Sequence, residues 1–256
     1  MKYIRIILGI TILVLCLTVW SFAQAMDSSF ALVEFEAAQD YYKRADYTKA
    51  IEAYEKVIQQ GYESGFLYYN LANSYFKNGE SGRAILNYEK ARRFIPRDSD
   101  LNYNYQYVRS IIPKTVAPTP SFVRRIISDL INFYTLDEIF VIFLIGAFLL
   151  ATGHIVSLYL RWPVLLKRGC VTIFSVVGVL AGVCFFVKIN SEINLAVAVI
   201  ETRANFEPKE DATSHFTLWE GTKVKILKEE NQWMKIQRSD GKLGWISSDT
   251  IERIAP

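Results

Sequence analysis

The sequence predicts a multidomain chain: an all-α solenoid of stacked helix pairs and a transmembrane helical hairpin, followed by a small all-β barrel. Three observations predict it. Tyr41, Ala50, Ile51, Tyr54, Glu55 and Lys56 recur 34 residues later as Tyr75, Ala84, Ile85, Tyr88, Glu89 and Lys90. A fixed period of that length marks helix pairs that bury their apolar faces only by stacking. Ile139 to Leu160 and Gly169 to Val187 hold 22 and 19 residues without Asp, Glu, Lys or Arg, and about twenty such residues span a bilayer. Beyond them, Thr222 to Leu227, Trp233 to Gln237 and Lys242 to Ile246 are short strand-like runs, the last two separated by the hairpin signal Asp240-Gly241.

At the N-terminus, Lys2 and Arg5 precede an uncharged run from Ile6 to Phe22, and Ala23-Gln24-Ala25 offers the small residues a signal peptidase needs. Residues 1–25 are therefore expected to be a secretory signal, with an uncleaved anchor as the alternative. A lipoprotein reading through Cys16 is disfavoured by the bulky Leu15 before it.

Residues 31–112 form the expected helical solenoid. In its second unit, Tyr68, Leu71, Ala72, Tyr75, Ala84, Tyr88, Ala91 and Pro96 fall at the eight signature positions of the tetratricopeptide repeat (TPR), which this segment resembles. The first unit keeps Ala37, Ala38, Tyr41, Ala50 and Tyr54, with Glu34 and Tyr62 at positions the family gives to a large apolar residue and to proline. Alanines let paired helices approach, and tyrosines fill the space between pairs. Ala45-Asp46 and Asn78-Gly79 mark the turns. Asp100 to Ile112 fits only the first helix of a further unit and reads as a closing helix.

Pro113, Pro118 and Pro120 stiffen a linker over 113–120, roughly 25 Å long if extended as polyproline. Residues 121–135 then form an amphipathic helix, with Phe122, Val123, Ile126, Ile127, Leu130, Ile131, Phe133 and Tyr134 on one half and Arg124, Arg125, Ser128, Asp129 and Asn132 on the other. Two placements are open for it: in the membrane interface, or against the repeats. The transmembrane helices are expected over 137–160 and 169–188. Arg161, Lys167 and Arg168 crowd the connecting loop 161–168, which the positive-inside rule makes cytoplasmic. Repeats and tail would then both lie on the periplasmic side of a bacterial inner membrane. Small-residue steps at Gly178/Gly182 and Ala147/Ala151 suit close helix contact, within the hairpin or with a membrane partner.

The tail, 195–256, resembles the bacterial SH3-like domain through Trp219-Glu220-Gly221-Thr222-Lys223-Val224, Gln232-Trp233-Met234-Lys235-Ile236 and Gly244-Trp245-Ile246. That resemblance implies a small barrel able to contact peptidoglycan. So small a barrel has little core, so Trp233 and Trp245 read first as packing residues.

Catalytic constellations are not expected. The two histidines, His154 in the first apolar run and His215 in the tail, assemble neither a zinc pair nor a triad, and no Gly-x-x-x-x-Gly-Lys loop occurs. No enzyme activity, cofactor or metal is expected. A formal charge of +3 over 256 residues points to no nucleic-acid partner. Carrying the TPR groove positions onto this chain gives Phe35, Gln39 and Tyr42 from the first unit. Tyr69, Asn70, Asn73 and Phe76 follow from the second, with Tyr103 and Asn104 from the closing helix. Phe35, Tyr69 and Tyr103 recur at intervals of 34, a ladder of rings alternating with amides able to grip a peptide backbone. The alternative is that several rings close helix seams. The order of signal, two repeats, paired spans and barrel resembles the BatE family of bacterial aerotolerance operons. That resemblance implies a scaffold beside von Willebrand A-domain (VWA) membrane proteins and a MoxR-type ATPase.

Overall fold

The computed structural model describes residues 31–113, 122–159 and 163–255. The expected signal at 1–25, nearly all of the linker, Ser121, Leu160 at the end of the first expected span and residues 161–162 of the connecting loop lie outside them.

Five helices make the N-terminal region: α1 (31–43), α2 (Tyr47–Gln59), α3 (Gly65–Lys77), α4 (Ser81–Phe94) and α5 (Ser99–Ile111). Polar caps set their starts. The side chains of Asp46, Ser64 and Asp98 accept from the backbone N–H groups of Lys49, Leu67 and Leu101, each satisfying a donor left over at a helix start. Ser64 and Asp98 stand one 34-residue period apart, so the cap repeats with the helices. Left-handed residues turn the chain between α1 and α2 at Ala45 (φ 60) and between α3 and α4 at Gly79 (φ 88). Ala38, Ala50, Tyr54, Tyr68, Leu71, Ala72, Tyr75, Ala84, Tyr88 and Ala91 are all buried where the helices meet. The Tyr75 hydroxyl donates to Glu55 and the Tyr105 hydroxyl to Glu89, so the equivalent glutamates of the two pairs each tie down a tyrosine of a following helix.

α6 (Phe122–Phe133) meets α8 and leaves Phe122, Ile126 and Phe133 exposed. α7 (Leu136–Tyr159) and α8 (Val164–Glu192) pair along their lengths. Within α7, Leu136–Gly153 is long and apolar enough to cross a membrane, and Ser175–Asn190 of α8 is a shorter apolar stretch. The buried seam between them runs through Gly146 and Ala181. Gly178 and Gly182 have open space where a Cβ would project, so their small-residue step is not the contact that joins α7 to α8.

The C-terminal region is one antiparallel sheet in the order β3-β2-β6-β5-β4-β1-β7. Its strands are β1 (Leu195–Ala198), β2 (Thr202–Asn205), β3 (Ser214–Leu218), β4 (Lys223–Glu230), β5 (Trp233–Arg238), β6 (Leu243–Ser247) and β7 (Ile251–Arg253). Asp240-Gly241 makes the β5–β6 turn. Gly241 sits at φ 89, and the Asp240 carboxylate accepts from Arg238 Nη2 at 2.6 Å and from Lys242 N at 3.2 Å. The Arg238 hydrogen bonds hold this carboxyl at about 2, well below the usual range. Ala204, Phe216, Leu218, Val224, Ile226, Ile236 and Ile246 fill the interior.

The sheet is docked on the helices, a contact that repeat and strand patterns did not predict. β1 is shared between the two cores. Ala196 and Ala198 point into the barrel, while Val197 and Val199 join the helical core, as alternation along a strand requires. Burying Val197 and Val199 stabilises the junction by roughly 1.5–3 kcal/mol each. Gly82 of α4 lies so close to β1 that a Cβ there would meet the Val199 carbonyl oxygen at 2.5 Å. Lys223 Nζ reaches Glu89 at 2.9 Å, and Arg93 Nε reaches Glu192, at the end of α8, at 3.2 Å. At the α4–α5 corner, Arg97 pairs with Glu138 of α7 through contacts of 2.5 and 3.2 Å.

Candidate functional site

Two concave features hold the residues singled out above. The first is formed by α1, α3 and α5. Phe35 lies edge-on to Tyr54 with centroids 5.6 Å apart, and Tyr69 lies tilted on Tyr88 at 6.2 Å. Both pairs are separated by 19 residues, so each ladder ring rests on a tyrosine of its own pair's second helix and keeps its outer side accessible. Seam closure and display are thus combined at Phe35 and Tyr69. Tyr103 has no second helix behind it and is 73% exposed. Phe76 meets Tyr107 of α5 edge-on at 5.9 Å.

The amides between the rings are wired together. Tyr88 donates its hydroxyl proton to Asn73 Oδ1 at 2.5 Å, and Asn104 Nδ2 donates to Tyr69 Oη at 2.8 Å and to Asn73 Oδ1 at 3.2 Å. Asn73 therefore has its carbonyl doubly satisfied, and its Nδ2 is the part of the amide left to donate. Gln39, Tyr42 and Asn70 join Asn73 around a hollow of ≈ 250 Å³ between α1 and α3. Lys43 and Tyr54 complete its wall, and the groove positions had not included either. Lys43 sits one residue past Tyr42 on α1 and brings an ammonium to the rim, paired with Asp40 at 3.4 Å. Burial, with Tyr47 and Tyr69 beside it, pushes the Tyr42 phenol up, so it remains a neutral donor. All nine predicted groove residues are at least partly accessible, and all lie on α1, α3 or α5. Such a surface can hold an extended chain by ring contacts and amide hydrogen bonds.

The second feature belongs to the barrel. Glu201, Arg203, Asn205 and Glu210, from β2, the residue before it and the loop after it, face Trp233 and Ser247 across an open cleft of ≈ 690 Å³. Trp233 is half-buried and available to this cleft, whereas Trp245 is buried. At the base of the same loop Phe206 is exposed and stacks on His215 at 4.3 Å. Among the described residues, no group of three or more His, Cys, Asp or Glu is placed to hold a metal ion.

Comparison with known families places a bacterial SH3 domain at residues 206–252, from the end of β2 to the start of β7. The match includes Phe206, Trp233 and Trp245. No curated protein matches the chain.

Proposed function

We propose that this chain is a non-enzymatic scaffold of the bacterial inner membrane, with its helical region acting as a TPR domain that holds a segment of a partner protein in the periplasm. The observation that carries the reading is the groove itself: Phe35 and Tyr69 braced from behind, Tyr103 projecting, and Asn70, Asn73 and Asn104 interleaved with them. Rigid rings already fixed by packing lose little freedom on binding, which favours them as anchors. A membrane hairpin is supported by Leu136–Gly153 and by the outward exposure of Phe140, Phe143, Phe148, Val179 and Phe186, which no core among the described residues covers. Arg161, Lys167 and Arg168 between the two apolar runs favour the orientation that leaves repeats and barrel outside. The partners this reading favours are the VWA membrane proteins and MoxR-type ATPase of a Bat-type assembly. Replacing Tyr69→Ala together with Asn73→Ala should abolish copurification of a partner while the protein stays in the membrane fraction. Unchanged copurification would count against the groove.

A second reading makes the barrel a peptidoglycan contact, favoured by the bacterial SH3 domain at 206–252 and by the cleft beside Trp233. Full-length protein in detergent should then sediment with purified cell wall, and Trp233→Ala should stay in the supernatant. Failure of the unmodified protein to sediment removes this reading.

A further inference from the structure

A third concavity lies where the barrel docks, between α5 and strands β4 and β5. It encloses ≈ 560 Å³ and is lined by Arg109 from α5, Lys223 and Lys225 from β4, and Arg238 from β5, with Glu89 and Tyr105 on its helical wall. Lys223 answers Glu89 at 2.9 Å and Arg238 answers Asp240 at 2.6 Å. Among the described residues, Arg109 and Lys225 have no carboxylate within ion-pairing distance. The cleft therefore carries excess positive charge on two bodies at once. Glu89 does not offset it. Burial alone would raise its carboxyl, but Lys223, Arg92 and the Tyr105 hydroxyl outweigh burial and hold it at about 2, ionised and fully engaged.

From this we infer that the cleft between α5 and the barrel is a docking site for an acidic peptide segment of a partner protein. Charge complementarity selects the occupant, because a concave site lined by one sign of charge concentrates the opposite one. Size argues against a single oxyanion, since ≈ 560 Å³ lies within the roughly 300–1,000 Å³ of pockets that hold a drug-sized ligand, room for a few residues of a peptide. The cations sit on both the helix and the strands, so one carboxylate cannot reach them all, and several spaced along a chain can. Tyr103 and Tyr107 leave α5 on the side away from Tyr105 and Arg109, so this site is separate from the aromatic groove and does not depend on it.

The test uses full-length protein in detergent micelles and a fluorescein-labelled hexaglutamate peptide, followed by anisotropy, with hexaglutamine as control. Hexaglutamate should bind, with an affinity that falls steeply with salt, and Arg109→Glu with Lys225→Glu should weaken it by about tenfold or more. If that pair does not fold, Arg109→Gln with Lys225→Gln should give a smaller loss in the same direction. Arg44→Glu with Lys77→Glu makes the same change in net charge away from the cleft and should leave binding within about twofold. Tyr69→Ala with Asn73→Ala should not change it, which separates this site from the groove. Three results would overturn the inference: hexaglutamate binding no better than hexaglutamine, equal loss in the remote pair, or soluble muropeptides occupying the site when hexaglutamate does not.

Discussion

Gly82→Ala should loosen the junction between helices and barrel, although the same change in an open helix stabilises it. Alanine in a helix is favoured over glycine by up to about 1 kcal/mol. At Gly82, however, the new Cβ would lie 2.5 Å from the Val199 carbonyl oxygen, 2.9 Å from its carbon and 3.0 Å from the Ala198 oxygen. These are backbone atoms at the end of β1 and of the residue just after it, and β1 is paired on both sides, with β4 and β7, so no side chain can swing away to make room. Overpacking of this kind costs typically about 1–3 kcal/mol, which outweighs the gain in helix propensity. A net loss of about 1–2 kcal/mol raises the population of the opened junction roughly 5- to 30-fold. Hydrogen exchange read by mass spectrometry should show that acceleration in the peptides covering α4 and β1, with the barrel-interior strands β5 and β6 unchanged. Exchange at α4 and β1 that is unaltered or slower than in the parent would refute the reasoning, because it would mean that β1 is not pressed against α4.

Two further substitutions test the local arguments. The Glu89 carboxyl is depressed from 4.5 to about 2, so its ionisation stabilises the folded chain above about pH 4.5, and that contribution is lost as pH falls toward 2. Glu89→Gln should flatten this acid limb in urea unfolding followed between pH 5 and pH 2, and should cost about 1–3 kcal/mol at pH 7 by replacing the charged acceptor of the buried Tyr105 hydroxyl with a neutral one; an unchanged acid limb would assign it to other groups. Ala45 holds φ 60, a conformation costing a side-chain-bearing residue roughly 1–2 kcal/mol. Ala45→Gly recovers that, less the roughly 0.5–1 kcal/mol of extra freedom glycine gains when unfolded, so thermal unfolding should shift upward by a few degrees rather than downward.

A helical N-terminal region followed by an antiparallel sheet was legible because periodicity carries both. The 34-residue repeat fixes which positions face inward, and Asp240-Gly241 fixes a hairpin wherever flanking runs can pair. β4 extends to Glu230, past the apolar run that ends at Leu227, because the chain turns only at Asn231, with φ 55. A polarity pattern does not carry that information. The docking of the barrel on α4 was hidden for a related reason. Leu195, Val197 and Val199 alternate with Ala196 and Ala198, and a strand apolar on both faces reads as a featureless run. The alternation of large and small side chains was the available signal. In the groove, repeat spacing placed Phe35, Tyr69 and Tyr103 on the first helices of successive units. It could not show that Tyr88 and Asn104 consume the Asn73 carbonyl, since those hydrogen bonds join helices 15 and 31 residues apart in the chain.

The link between α8 and β1 is two residues long, Ile193 and Asn194, with Asn194 in the left-handed conformation. The helical stack is thus held to α7 and α8 at three places: through β1, which leaves the end of α8 and wedges against α4, through Arg93 on Glu192, and through Arg97 on Glu138. Three such anchorages define a plane, as the feet of a tripod do. Any tilt of α7 and α8 is handed on to the helical stack through all three.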